Sequence, residues 1–224
     1  MTHADFITQS AVLARLTTAT IGHSIEVFDE LPSTNDYIKR ATHSLQNGHT
    51  VFARGQSAGR GQFGKSFSSP RDQGIYMSIF LAKPAITGGT QAHTQLVAVA
   101  VCHALEATCN ISPSLKWIND VVLNGKKLGG ILCESTYSGG LQQSFILGIG
   151  INTGTVYPCL KDIATSLECN NVNINKNILA AEILNRLECV LGAEHGIPKI
   201  LADYQRRLVA PGYTEKEAKS HVHT

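Results

Sequence analysis

Two stretches of the chain concentrate residues that handle anions. The first is Gly59-Arg60-Gly61-Gln62-Phe63-Gly64-Lys65-Ser66. Closely spaced glycines let backbone approach a bound group, and Arg60 and Lys65 add positive charge, so the segment suits a carboxylate or phosphate. The second runs Lys116-Trp117-Ile118-Asn119-Asp120 and, after a turn, Lys127-Leu128-Gly129-Gly130-Ile131-Leu132. A lysine followed by two glycines leading into an apolar strand gives a ligand room against the strand while the ammonium meets its acid group. Asn119 and Asp120 at a strand end suit ribose, phosphate or a metal ion. Each piece alone has a plainer reading: a flexible surface loop, an Asn-Asp turn, a solvated Lys126-Lys127 hairpin tip, and Trp117 as core.

The glycine loop matches two nucleotide-binding patterns, and its context argues against both. It fits G-x-G-x-x-G, the dinucleotide fingerprint, and G-x-x-x-x-G-K-S, the P-loop. Either needs a helix directly afterwards, because the helix N-terminus holds the phosphate. The chain continues instead through Phe67-Ser68-Ser69-Pro70-Arg71-Asp72-Gln73-Gly74. Pro70 biases Ser69 away from helical geometry, and Gly74 begins an apolar strand. The strand before the loop ends at Arg54, several residues too early.

The elements that must position these residues are legible in the periodicity. Residues 5–17 read as a short helix, Ser24–Phe28 as a strand, and Ser33 or Thr34 as the cap of a helix running to about Gln46, where Asn47-Gly48 ends it. Thr50–Arg54 and Ile75–Ala82 read as strands around the polar loop from Gly55 to Gly74. Thr90–Cys109 carries apolar residues at helical spacing and reads as a long, largely buried helix. Leu115–Ile118, Val121–Leu123, Leu128–Glu134 and Gln143–Ile151 read as strands, with turns at Asn124-Gly125 and Ser138-Gly139-Gly140. Asn175–Leu191 and Pro198–Val209 read as closing helices. Strands in hairpins flanked by helices imply an α+β domain with a mixed, largely antiparallel sheet.

Composition narrows the class. The chain has 224 residues, 43% hydrophobic and 16% charged, an ordinary globular balance. No apolar run approaches the roughly 18 residues that span a bilayer. Met1–Thr8 includes Asp5 and lacks a basic start followed by an apolar block, so no signal peptide is expected. The formal charge of +2 is spread out, which argues against a nucleic-acid footprint. The six cysteines form no C-x-x-C pair or zinc-like spacing, so free thiols, a cytoplasmic location and no dedicated metal site are expected.

Taken together, the segments resemble the biotin–protein ligase family. Ser33-Thr34-Asn35, Gln56, Gly59-Arg60-Gly61, Lys116-Trp117-x-Asn119-Asp120, Lys127-x-Gly129-Gly130-Ile131-Leu132 and Gly148-Ile149-Gly150-Ile151-Asn152 match its motifs in order and spacing, across about residues 24 to 208. The resemblance implies the biotin/lipoate ligase catalytic-domain fold, of class II synthetase-like type. It implies ATP-dependent activation of biotin as biotinyl-5′-AMP, then transfer to a lysine of a biotin carboxyl carrier protein domain. By the same resemblance, Lys127 and Arg60 are the catalytic cations, placed on the biotin carboxylate and the adenylate phosphate. Ser33, Thr34, Asn35, Gln56, Gly59, Gly61, Gln62, Gly129, Gly130 and Ile131 complete the biotin site. Phe67, Lys116, Asn119, Asp120 and Asn152 serve ATP or the adenylate, with Mg²⁺ accompanying the nucleotide. Four positions depart from the family pattern: Gln62 and Lys65 stand where arginines are usual, Phe67 where tryptophan is, and Ile118 where proline is.

The resemblance also sets expectations at the ends of the chain. A catalytic domain is expected over residues 1–210 and a disordered tail over 211–224, without an N-terminal helix-turn-helix or a C-terminal β-barrel. A homodimer is allowed for. A lipoate or octanoate ligase or transferase shares this fold and is the nearest competitor; a transferase would draw on Cys133. A non-catalytic biotin-binding module would need neither Lys116 nor Asn119-Asp120.

Overall fold

Alternating large and small residues in the middle of the chain build one seven-stranded sheet. The computed structural model describes residues 6–82, 89–138 and 141–209. Its strands are β1 (Ile25–Phe28), β2 (Thr50–Ala53), β3 (Gly74–Leu81), β4 (Ser114–Lys116), β5 (Asp120–Leu123), β6 (Lys126–Ser138) and β7 (Leu141–Asn152), in the spatial order β1-β2-β3-β7-β6-β5-β4. β1 and β2 run parallel, and every other neighbouring pair is antiparallel. The architecture is therefore the expected α+β type. Asn124 and Gly125, at φ 52° and 79°, form the tight β5–β6 turn, a conformation these two residue types tolerate well. The expected turn at Gly139-Gly140 lies outside the described residues, as does the expected tail at 211–224.

The sheet has two unlike faces, set by the period of two along each strand. Ile75, Met77, Ile79 and Leu81 of β3, Ile131 of β6 and Leu147, Ile149 and Ile151 of β7 join one large core with the long helix α3 (Gly89–Cys109) and with α4 (Lys176–Leu191). Every α3 residue from Leu96 to Cys102 is fully buried, because α3 lies between the sheet and both α4 and α5 (Ile197–Arg207). The opposite face carries Tyr76, Ser78 and Phe80 on β3, Gly130, Leu132 and Glu134 on β6, and Gly148, Gly150 and Asn152 on β7. The helix α2 (Thr34–Ala41) covers one end of it, packing Ile38 with Val51, Phe80 and Ile146. The rest of this face is roofed by the glycine-bearing loop.

Helix ends differ from the sequence expectation where side chains capture the backbone. The N-terminal helix α1 spans only Gln9–Leu13. Beyond it, Asn185 accepts from Thr17 N at 2.8 Å, and Glu188 accepts from Thr20 N at 2.8 Å and Ile21 N at 2.9 Å, so α4 takes the amides that a longer helix would have paired. α2 stops at Ala41, not Gln46, because the Ser44 amide and hydroxyl both return to the Ala41 carbonyl at 2.9 Å. β6 outruns its expected end at Glu134 because it pairs with β7 as far as Ser138.

A charged network anchors α5 to α3. Asp203 Oδ2 lies 2.8 Å from His103 Nε2, Arg207 Nε donates to Asp203 Oδ1 at 3.2 Å, and Arg207 also donates to Glu106 at 2.6 and 3.1 Å. Burial pushes the Asp203 carboxyl up, but the His103 hydrogen bond and the Arg207 charge outweigh it and hold the carboxyl below its ordinary 3.8. A carboxylate with a depressed folded value stabilises the fold above its unfolded value, and the contribution is lost as pH falls through the folded one. Asp203→Asn is therefore expected to cost about 1–3 kcal/mol at neutral pH. Denaturant titrations at falling pH should show the gap between the two proteins closing below the ordinary carboxylate range. An equal gap at all pH values would contradict this account.

Candidate active site

The N-terminus of α2 delivers three polar side chains to the open face of the sheet. Ser33 caps the helix, its hydroxyl accepting from Asp36 N at 3.4 Å, and all of Ser33, Thr34 and Asn35 are buried. Ser78 Oγ lies 2.7 Å from Thr34 Oγ1 and 2.5 Å from Asn35 Oδ1. Gln56 Oε1 accepts from Thr34 N at 2.9 Å, while Gln56 Nε2 donates to Ser69 Oγ at 2.8 Å. Gln56 thus ties the start of the glycine loop to its far end and to α2. The result is a compact set of amides and hydroxyls, with donors and acceptors at short range.

Glycines make the floor. Gly130 pairs with Gly150 and Leu132 with Gly148 across β6 and β7. A Cβ at Gly150 would stand 2.5 Å from the Phe67 ring, and one at Gly130 would stand 3.4 Å from it. A Cβ at Gly148 would run into the Asn35 amide. The bare backbone therefore lets Asn35 and Phe67 lie directly on the sheet.

Two cavities meet above this floor. The first is lined by Ser33, Thr34, Asn35, Gln56, Arg60 and Gly61, together with Asn119, Gly130 and Ile131. The second, of about 190 Å³, is lined by Gln73, Tyr76, Asn152, Val156 and Tyr157 among others. Phe67 and Lys127 line both. Lys127 Nζ sits 2.6 Å from Asp120 Oδ1 and 5.7 Å from the Phe67 ring centroid, close enough for the ring face to attract the ammonium. Asn119 Nδ2 donates to the Ile131 carbonyl at 2.9 Å, and Asn152 Nδ2 to the Thr165 carbonyl at 3.0 Å, so both are fixed by backbone. Arg60 points toward α2 and β6, where Asp36 Oδ1 lies 2.5 Å and Glu134 two contacts of 3.1 Å from its guanidinium.

Most of the residues singled out in the sequence converge here, but five stand apart. Lys116 is exposed and lines neither cavity. Gln62 lies with Phe63 and Trp117 on a separate depression beside α3. Gly59 packs under the Phe67 carbonyl and the Ser69 hydroxyl and accepts from Phe67 N, lining neither cavity. Gly129 faces away from Gly130, against the Gly150 carbonyl and Ile151. Lys65, which a P-loop would place on phosphate, is exposed and lines neither cavity. The loop holds only a 3-10 turn at Gln62–Gly64 and a turn at residues 70–73 before β3, so the helix required by both nucleotide patterns is missing. Residues that sequence reasoning passed over include Asp36, Ser78, Leu132, Glu134 and Gly148 in a site role. A signal existed for four of them. Ser78 is a polar residue inside an apolar strand, and Leu132, Glu134 and Gly148 share the strand face of Gly130 and Gly150.

Cys133 lies on the other side of β6, packed against the main core. Burial pushes its thiol up to about 12. Burial thus favours the protonated thiol, and Cys133 lines neither of the two cavities over the glycine floor. All six cysteines are free thiols. Among the described residues there is no cluster of three or more His, Cys, Asp or Glu side chains able to hold a metal ion, and no helix long and apolar enough to cross a membrane.

Comparison with known proteins agrees with this geometry. Residues 27–152 match the model of the biotin/lipoate A/B protein ligase family. The bifunctional ligase/repressor BirA of Bacillus subtilis is 36% identical over 170 residues, covering 72% of this chain and 51% of that protein. The biotin–[acetyl-CoA-carboxylase] ligase of Mycobacterium tuberculosis is 28% identical over 196 residues, covering 84% and 72%. The biotin protein ligase of Aquifex aeolicus, solved in complex with biotin and ATP, superposes with a TM-score of 0.65 at 26% identity, over 89% of this chain and 77% of that one. The chain spans about half the length of the first of these relatives. With the family model covering more than half of the sequence, and with the sheet, glycine floor and loop in place, this chain belongs to the biotin/lipoate A/B protein ligase family.

Proposed function

We propose that the protein activates biotin with ATP and passes the biotinyl group to a lysine of a biotin carboxyl carrier domain. The observation that carries this reading is the position of Lys127, whose side chain borders both cavities at their junction. A reaction between a carboxylate and a triphosphate brings two anions together, and a cation between them offsets their repulsion most in the transition state. The first cavity suits the ureido ring of biotin, which has two donors and one acceptor, because Ser33, Thr34, Asn35 and Gln56 offer amides and hydroxyls. The second suits the nucleotide, with Phe67 and Tyr76 as flat apolar walls and Asn152 at its edge.

In the first step, a biotin carboxylate oxygen bonds to the α-phosphorus of ATP and pyrophosphate leaves. Lys127 moves from Asp120 to the carboxylate and then to the adenylate phosphate, while Arg60 meets the same charges from the loop. Asp120 and Asn152 would offer hard oxygen ligands to a Mg²⁺ ion accompanying the triphosphate, which would supply charge neutralisation of its phosphates. In the second step, the carrier lysine attacks the biotinyl carbonyl carbon, AMP leaves, and the amine proton passes to solvent. Gly59, Gly61 and Gln62 act through the loop, Gly129 through strand pairing, and Lys116 reaches the nucleotide phosphates from outside the present cavities.

With the loop in place, the first cavity has only about 40 Å³ free. That is room for a few waters, so the loop must lift to admit biotin and close again to keep water from the anhydride. Calorimetric titration with biotin and with lipoate, each with and without ATP, tests the reading. Biotin is expected to bind, with ATP tightening retention through the adenylate. Binding of lipoate alone would reassign the site to the lipoate branch of the family, and biotin binding indifferent to ATP would reduce the protein to a binding module.

A further inference from the structure

Glu134 stands on β6, four positions after Gly130 on the same strand face, and contacts both Asn35 of α2 and Arg60 of the loop. Its Oε2 accepts from Asn35 Nδ2 at 2.9 Å. The second Asn35 hydrogen goes to the Leu132 carbonyl at 3.1 Å, so the amide lying over Gly148 has its orientation fixed. The same carboxylate meets Arg60 end-on, Nη1 donating to Oε2 and Nη2 lying by Oε1, both at 3.1 Å, and Asp36 takes a further contact from Nη1. Glu134 is 16% exposed, against 39% for Arg60, so the acid is the sheltered partner. Lys39 reaches it only at 3.7 Å from a half-exposed position. A paired, two-point arginine–carboxylate contact is directional, unlike a single-charge contact. In the 3-10 turn just beyond Arg60, Phe63 is 88% exposed, so nothing apolar holds the tip of the loop.

We infer that Glu134 is a positioning residue: with Asp36 it clamps Arg60 and so sets the closed position of the glycine loop from the sheet, while the same carboxylate orients Asn35 at the pocket floor. Phe67 packs the later part of the loop on the glycine floor, while the stretch around Arg60 is held by these two acids. This deepens the proposed ligase reading, on which its kinetic consequence rests. Arg60 serves the substrate anion from a guanidinium already held at the pocket rim.

Glu134→Gln separates the two duties. The amide oxygen still accepts from Asn35, while the charge opposite Arg60 is gone. In the ligand-free protein, chymotrypsin cleavage after Phe63 is expected to speed up about tenfold, equivalent to about 1.4 kcal/mol of lost closure. Lys39→Ala, whose exposed contact is weak, is expected to stay within about twofold of the unaltered protein. Cleavage of Glu134→Gln at the unaltered rate would overturn the clamp. So would equal acceleration at sites outside the loop, which is the mark of general loosening. In steady-state pyrophosphate release, KM for biotin should rise about fivefold with kcat within about twofold, because a positioning loss falls on binding. A fall in kcat at unchanged KM would contradict a positioning role. Failure of the ligase reading shows differently, as no biotin-dependent pyrophosphate release from the unaltered protein, and leaves the cleavage comparison to judge the clamp.

Discussion

Lys127→Ala is expected to lower kcat/KM for biotin-dependent pyrophosphate release by about 10²–10³-fold, the usual loss when one preorganised donor is removed from developing charge. The expectation rests on place and not on charge alone. Lys127 borders both cavities, while Lys65 of the P-loop-like pattern borders neither and is exposed. Lys65→Ala is therefore expected to change the rate by less than about threefold, in keeping with a solvated surface charge. The ion pair with Asp120 at 2.6 Å sharpens the comparison. Removing Lys127 leaves a partly exposed carboxylate beside the triphosphate, adding repulsion to the lost attraction. Full activity of Lys127→Ala, or a collapse of activity in Lys65→Ala, would transfer the chemistry to the other pattern and sink the assignment.

The second large effect comes from adding a single methyl group. Gly150→Ala places a Cβ 2.5 Å from the Phe67 ring, well inside contact distance, so the ring must leave the floor. Phe67 lines both cavities, and its displacement shifts the wall that separates the two reacting ends. A misplacement of about 1 Å at a reacting centre costs on the order of 10²-fold, and a loss between about tenfold and hundredfold in kcat/KM is expected here. Stability should hold, because alanine pairs in a central strand at least as well as glycine. Steady-state kinetics with a thermal unfolding control measure both quantities. Unchanged kinetics would show that Phe67 plays no part in aligning the substrates, and unfolding would show that Gly150 serves the sheet instead of the site.

What can be read along the chain and what cannot have separate physical causes. Local signals are sufficient for the elements. Asn124-Gly125 announces its turn because both positions take positive φ, and α3 announces itself by apolar content that no exposed helix would carry. They are weaker at helix ends. α1 and α2 stop early because Glu188, Asn185 and Ser44 claim backbone groups, and two of those three side chains lie more than 160 residues away. The false nucleotide patterns fail on local grounds as well, since Pro70 and Gly74 leave no helix to hold a phosphate.

By itself the sequence pointed to residues that bring charge and bare backbone to the candidate site: Arg60, Lys127, the polar triplet Ser33–Asn35, Gln56 and Gly130. Residue type and the two-residue strand period are local properties, and local properties survive reading in one dimension. The tertiary structure decided which of them meet. β6 beside β7 sets Gly130 against Gly150, the path of the loop lays Phe67 across both, and α2 swings Asp36 round to Arg60 opposite Glu134. The strand period puts Glu134 on the face of Gly130, but its partners could not be read, because only the fold of a loop and the placing of α2 bring Arg60 and Asn35 to it. Register and long-range charge pairing are properties of the closed sheet, and no window along the chain contains them.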